Sequence, residues 1–484
     1  MRALSAISAV LLLVFSDVSF ASTYTWSIVS GRPFSSPGAV CEWLKVNTGT
    51  STRAHEVVRY TDKMFSCRYE YYASGAGQWA LTSQTVNRIG KRCEEGKVFN
   101  AVNGECVEGE RGAPALNSCV GNPINAANGN KFQVETDFDS RGATPLSFTR
   151  TYNSLDGVWR HKYSARLEKI GFDIKLTKGD GKESYFNSGS KPAAKFSPLE
   201  LGDLVEISGG WRYTDVDNQV FTFDTAGRLT QWRKSSGAKE QLVYAGNVVT
   251  VTNDLGGSIA FTQDSLYQPL TLDSGDLHID YSYNVNMRLA QLTRVQGGQT
   301  EQRTFHYEDP RNNGWLTGIT DERGVRYATW AYDDKGRAIS SEHAGGVDKV
   351  MVSYNADGSS TVTNELGKNT VYRFTTISGT KRVVAVDGEA SANCPNSNST
   401  FTYDTRGLLK TKTDNKGHLT TYDYNARGLE VSRTEAAGTA QARTTTTEWH
   451  PTLFLPVTVT EPSRITTYTY DAQGRQLSQS VTQH

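Results

Sequence analysis

Along most of the chain apolar residues do not recur at helical spacing. They alternate with polar residues in short runs, and the runs stop at Asp, Asn and Gly. Phe65-Ser66-Cys67-Arg68-Tyr69-Glu70-Tyr71-Tyr72, Lys131-Phe132-Gln133-Val134-Glu135-Thr136-Asp137-Phe138 and Pro145-Leu146-Ser147-Phe148-Thr149-Arg150-Thr151-Tyr152 all read this way. A period of two predicts strands, and the stops predict tight turns. From about residue 200 onward the pattern becomes a repeat: aromatic-x-aromatic, then Asp or Asn, polar residues, Gly, and a second strand. The clearest copies are Phe221-Thr222-Phe223-Asp224-Thr225-Ala226-Gly227, Tyr332-Asp333-Asp334-Lys335-Gly336, Phe401-Thr402-Tyr403-Asp404-Thr405-Arg406-Gly407, Tyr422-Asp423-Tyr424-Asn425-Ala426-Arg427-Gly428 and Tyr468-Thr469-Tyr470-Asp471-Ala472-Gln473-Gly474. Weaker copies anchored on residues such as Tyr283 and Trp449 fill the gaps, giving a period of about 22 residues, the mark of a repeat architecture.

Each unit reads as a β-hairpin. Aromatics two apart enter the same face of a strand. The Asp accepts a backbone N–H and closes an Asx-turn, and the Gly takes the positive-φ position of a short bulged loop. A lone hairpin is marginal in water, so neighbouring units must stack. The expected fold is all-β: tandem hairpins in one curled sheet or partial β-shell, whose rings Phe223, Tyr283, Tyr332, Tyr403, Tyr424, Trp449 and Tyr470 share a single interior. The expected turn residues are Asp224, Gly227, Asp333, Gly336, Asp404, Gly407, Gly428, Asp471 and Gly474.

The N-terminus differs. Met1-Arg2, an apolar stretch from Ala3 to Phe15 and Ser19-Phe20-Ala21 have the layout of a secretory signal peptide, with cleavage expected after Ala21. Residues 22–118 hold four of the six cysteines, with Cys119 directly after them, and read as a small, β-leaning, disulfide-held module. The expected bridges are Cys93–Cys106, closing one short loop, and Cys41–Cys67. Cys119 and Cys394 either pair with each other or stay free. Zinc has no support, because no two cysteines stand two residues apart. A Gly/Pro stretch, Gly109 to Pro114, is a candidate linker. Residues 119–199 form a turn-rich β domain, and 200–484 the repeat region.

Lys+Arg and Asp+Glu both number 51, so the formal net charge is zero and a nucleic-acid partner is not expected. A mean hydropathy of −0.50 and the absence of a second long apolar run argue against an integral membrane protein after signal removal.

The Tyr/Asp units resemble the YD repeats of Rhs proteins and teneurins. Gly121-Asn122-Pro123 through Asn153-Ser154 resembles the domain that introduces those repeats in bacterial Rhs chains, and Glu448-Trp449-His450-Pro451 resembles a variant repeat of the same family. The resemblance covers about three quarters of the mature chain and implies a spiralling β-shell that encloses a C-terminal toxin or displays a binding surface. It also has departures. The family's Asp-Pro-x-Gly-type cleavage motif is not matched, since Asp309-Pro310 is followed by Arg311-Asn312. No toxin domain follows the last hairpin before His484, so a truncated member is expected, with a missing shell or toxin part as a partner. The segment Cys93 to Cys106 is similar over one short stretch to small chitin-binding modules.

Candidate chemistry is sparse. The eight histidines form no His-Glu-x-x-His or His-x-x-x-His pattern, and neither a Gly-x-Ser-x-Gly elbow nor a P-loop occurs. Asp-Gly clusters such as Asp414-Asn415-Lys416-Gly417 read as hairpin turns, not calcium loops. No catalytic residue, metal or cofactor is expected. The leading functional expectation is an exported, non-catalytic Rhs/YD-repeat scaffold of a bacterial surface, tied to polymorphic-toxin delivery in interbacterial competition. The alternative is an adhesin whose disulfide module binds a cell-surface receptor or glycan.

Overall fold

The structure, a computed structural model, describes residues 25–28, 34–47, 52–61, 64–73, 78–89, 92–100, 104–388 and 398–483. The expected signal segment and Cys394 lie outside these residues. The chain divides into two compact units, Met1–Val58 with Lys63–Glu94, and Arg59–Asp62 with Glu95–His484. Residues 95–118, grouped by sequence with the cysteine module, therefore fall with the repeats.

The first unit carries a helix, Pro37–Asn47, where the sequence suggested only a β-leaning module. Its start is locally encoded: the Ser36 hydroxyl accepts the Ala39 N–H at 3.1 Å, and Pro37 needs no partner in the first turn. Val40, Cys41 and Leu44 bury one face of the helix, and Cys41 is joined by a disulfide to Cys67 on the strand Met64–Ala73. The sheet runs in the order Thr25–Ser27, Gln78–Ile89, Met64–Ala73, Thr52–Thr61. Its core includes Trp26 set edge-on to Phe65 at 4.9 Å. Cys93 and Cys106 are both disulfide-bonded, and Cys119 is a free, exposed thiol.

The second unit is built on a 26-stranded antiparallel sheet in strict chain order, from Asp203–Ile207 to Gln476–Gln483. This order follows from the turns. Asp224 Oδ1 accepts the N–H groups of Ala226 and Arg228 at 3.0 and 2.8 Å, and the Gly227 N–H bonds the Asp224 carbonyl at 2.9 Å. The ladder slips by one residue between Thr222 and Phe223, so this turn ends in a bulge beside its aromatic. Asp333, Asp404, Asn425 and Asp471 repeat the pattern. Gly227, Gly336, Gly407, Gly428 and Gly474 take φ of 80°, 77°, 76°, 80° and 82°. At 215–219, 264–268 and 284–288 the same turn forms with Asn218, Tyr267 and Met287 in the left-handed position, so these copies lack the Gly of the signature.

The wall curls. A Cβ on Gly407 would collide with Leu199, and one on Gly474 would sit 2.7 Å from the Asn218 amide nitrogen. The Arg233 guanidinium bonds the Gln473 carbonyl. The last hairpins thus return to the rim of the first ones, and the sheet stays open. Gln476–Gln483 pairs only with Arg464–Tyr470 among the described residues, and every residue of that strand is exposed.

A separate three-stranded sheet of Phe132–Asp139, Ser147–Asn153 and Val158–His161 lies on the curled face of the wall. The Tyr152 hydroxyl donates to the Gly314 carbonyl at 2.7 Å and accepts the Leu316 N–H at 2.8 Å. Trp159 bonds Tyr307 at 2.9 Å, and Ser360 bonds the Ala126 carbonyl at 2.7 Å. One continuous hydrophobic cluster joins this inner sheet to the wall; Val362 is its last buried member, and Tyr372 and Phe374 pack against it.

Candidate functional site

The repeat tyrosines do more than fill a core. Each sends its hydroxyl back to a carbonyl of the preceding repeat: Tyr283 to Pro269 at 2.7 Å, Tyr332 to Leu316 at 2.8 Å, Tyr403 to Val383 at 2.7 Å, Tyr424 to Leu409 at 2.8 Å and Tyr470 to Pro456 at 2.8 Å. Trp449 makes the equivalent bond from its indole N–H to the Glu430 carbonyl at 2.7 Å. A phenylalanine cannot make this link, and Phe223 instead is fully buried. The hydroxyl therefore staples one hairpin to the next, a role that sequence spacing alone does not reveal. Burial pushes the Tyr424 phenol up to about 12 and the Tyr332 phenol well above its ordinary range, so both remain donors.

The rings do not share one interior equally. Phe223, Tyr283 and Tyr332 belong to or pack against the buried cluster. Tyr403, Tyr424, Trp449 and Tyr470 are half-buried and lie outside it. The physical reason is the inner sheet, which rests on the wall only as far as about residue 360. Beyond the inner sheet the packing thins: Tyr372 and Phe374 still lie against the cluster, and Leu199 and Leu201 lie against the Gly407 and Gly428 turns.

The seat of the inner sheet is polar. On Phe132–Asp139 the alternation is inverted: Gln133, Glu135 and Asp137 are buried, whereas Val134 is 46% exposed. Lys131 bonds Gln133 at 2.6 Å, Gln133 bonds Glu135 at 2.7 Å, and Glu135 meets Arg303 of the wall and the Tyr327 hydroxyl at 3.0 Å. Asp137 holds Arg150 and accepts the Tyr281 hydroxyl at 2.7 Å. Arg150 lies over Trp159 at 4.8 Å and over Tyr281 at 5.2 Å. The Lys131 amine stands 4.1 Å over the Trp330 ring. Burial drives this amine well below its usual range, with the Glu135 charge opposing the shift. His161 is fully buried, bonds Gln263 at 2.9 Å and stacks on Phe148, and burial lowers it to about 3, so it is neutral at ordinary pH. Sequence reading identified these strands but not which face they bury. The partners Tyr281, Arg303, Tyr327 and Trp330 lie more than a hundred residues downstream, and no local signal announces them.

Near the start of the second unit a buried ion network adds rigidity. Arg111 is paired with Asp156 and with Glu183 at 2.6 Å, and Arg160 joins Asp156 at 2.6 Å. Despite full burial, the two arginines hold the Asp156 carboxyl well below the usual carboxylate range. Among the described residues no group of His, Cys, Asp and Glu has the arrangement of a metal site. No helix there is long and apolar enough to cross a membrane, a statement that says nothing of a β-barrel.

This geometry defines a class first: a repeat protein whose tandem hairpins build one sequential antiparallel wall, braced on a polar-seated inner sheet. Residues 403–440 match the family described as RHS Repeat, and residues 121–186 match a domain of unknown function, DUF6531. Both matches agree with the resemblance of the Tyr/Asp units to Rhs/YD repeats. It is 25% identical over 355 residues to double-stranded DNA deaminase toxin A of Burkholderia cenocepacia (strain H111), covering 69% of this chain and 22% of that relative. The chain therefore spans about a fifth of the length of the curated relative it matches. Among solved structures, a TcdB2–TccC3 crystal structure is 11% identical, with 87% of this chain and 26% of that chain covered at a TM-score of 0.29. A Tc holotoxin pore of Photorhabdus luminescens is also 11% identical, with coverages of 87% and 25% and a TM-score of 0.28.

Proposed function

We propose that this protein is an exported, non-catalytic scaffold whose curled wall forms part of a shell in polymorphic-toxin delivery between bacteria. The observation that carries the reading is the wall itself: 26 strands in chain order, stapled hairpin to hairpin, with a curled face that the inner sheet fills over only part of its length. Such a surface suits enclosure of polypeptide better than chemistry. Its buried titratable groups, such as Arg150, Asp137 and Asp156, are locked in ion pairs and hydrogen bonds. The sequence similarity to a deaminase toxin supports the setting. The N-terminal signal pattern and the disulfides support export into an oxidising compartment.

The test is expression of residues 22–484 in the bacterial cytoplasm and of the full chain with its N-terminal segment. We expect no growth inhibition from the first. From the second we expect a secreted or surface-held product beginning at Ser22. Toxicity of residues 22–484, or retention of an uncleaved chain in the cytoplasm, overturns the reading.

A further inference from the structure

The second unit contains a cleft of about 560 Å3 that the shell reading does not use. Its roof is the hairpin Lys97–Asn100 with Glu105–Glu108. The hairpin is pinned at both ends like an arch. Asn100 donates to the Leu155 carbonyl at 3.3 Å, and at the other end a Cβ on Gly96 would lie 2.8 Å from the Gly379 carbonyl, so backbone rests on backbone. Arg111 reinforces the arch through the Phe99 carbonyl at 3.2 Å. The floor is equally fixed: Arg288 bonds the carbonyls of Asp156 and Gly157 at 3.0 and 2.9 Å, and Trp315 stacks on Tyr332 at 5.3 Å. The cavity is thus preformed, and its volume falls in the range of small-ligand sites, roughly 300–1,000 Å3.

The two lips carry opposite charge. Glu95, Glu105 and Glu108 outnumber Lys97 on the hairpin side, and Lys335 and Lys381 line the wall side; Lys97 and Glu105 are engaged in other contacts, which leaves Glu95 and Glu108 to face the gap. Glu95, Glu108, Lys335 and Lys381 have no ion-pair partner among the described residues, whereas the neighbouring Arg337 is paired with Asp333 at 2.6 Å. Burial and the Arg337 charge lower the Lys381 amine, and Glu108 acts on it in the opposite sense, so the lips feel each other across the gap. A single anion or cation would be attracted by one lip and repelled by the other. A neutral sugar would leave both lips unpaired. A molecule with an ammonium at one end and a carboxylate at the other satisfies both.

We propose that this cleft binds a zwitterionic ligand of short-peptide size, with its carboxylate at Lys335 and Lys381 and its amine at Glu95 and Glu108.

The test is isothermal titration of the folded full chain with trialanine, and with N-acetyl-trialanine amide, which has the same body and no charged ends. Trialanine should bind with a Kd at or below about 1 mM. The blocked peptide, and the Lys335→Gln/Lys381→Gln double variant titrated with trialanine, should each bind at least about tenfold more weakly, with the thermal midpoint of the variant unchanged. Glu108→Gln should weaken binding in the same direction. Equal binding of the blocked peptide, unaltered binding by the double variant, or no heat with trialanine at about 10 mM overturns the proposal.

Discussion

The wall has two regions with the same local chemistry and different interiors. From Asp203 to Thr363 its curled face rests on the inner sheet, and Phe261, Trp330 and Val352 are all buried. From Asn369 to Gln483 the turns and hydroxyl staples are the same, yet Tyr403, Tyr424 and Tyr470 are only half-buried. Hairpin formation is therefore a local property, set by Asp, Gly and Tyr within one repeat and the next. Burial is a property of what is seated on the wall.

The largest expected difference between the regions lies in charge. Arg150→Met strands Asp137 in the seat and should cost about 3–5 kcal/mol, read from urea unfolding. Arg433→Met, on the uncovered region, should cost less than about 1 kcal/mol. Comparable losses from the two variants would mean that the regions do not differ as described.

Acid should act through His161. Its folded pKa of about 3 lies below the ordinary 6.5, so the folded state binds fewer protons than the unfolded chain between those values. Its contribution is whole above pH 6.5 and falls as pH drops toward 3, by at most about 1.4 kcal/mol per pH unit. His161→Gln should flatten that limb of a thermal-midpoint-versus-pH curve. His418→Gln, exposed in the uncovered region, should leave it in place.

The staples give a smaller contrast. Tyr332→Phe leaves the Leu316 carbonyl without its donor inside the core and should cost about 1–3 kcal/mol. Tyr424→Phe exposes the Leu409 carbonyl to water and should cost about 0.5–1 kcal/mol. A Tyr424→Phe loss as large as that of Tyr332→Phe counts against the burial difference.

The smallest contrast should be none. Gly256 and Gly417 have φ of 81° and 84°, and a Cβ on either would meet nothing within 4 Å. Gly256→Ala and Gly417→Ala should each cost about 1–2 kcal/mol from left-handed strain alone, with no difference between regions. Unequal costs by chemical denaturation would show that the turns sense the seat after all.

How much was legible in the sequence follows the same division. The run Phe401-Thr402-Tyr403-Asp404 to Leu408 announces its hairpin because the hydrogen bonds that close the turn lie within it. The turns at Asn218, Tyr267 and Met287 have the same hydrogen bonds without the Gly, and so were less visible. The helix Pro37–Asn47 was missed because its apolar face is short and interrupted, and its cap is a single serine. The buried Lys131–Gln133–Glu135 row could not be oriented from sequence. An alternating strand has two faces, and choosing the polar one as interior requires knowing Arg303 and Tyr327.

The strict chain order of the wall bears on how the molecule comes into being. Pairing only sequence neighbours keeps contact order within the sheet low, and low contact order favours rapid folding. Hairpins can be laid down one after another as the polypeptide emerges, without waiting for a distant strand. The inner sheet precedes the strands it supports, so a nascent chain presents its brace first and then winds the wall around it. The uncovered stretch is the last to form, after the brace has been used up.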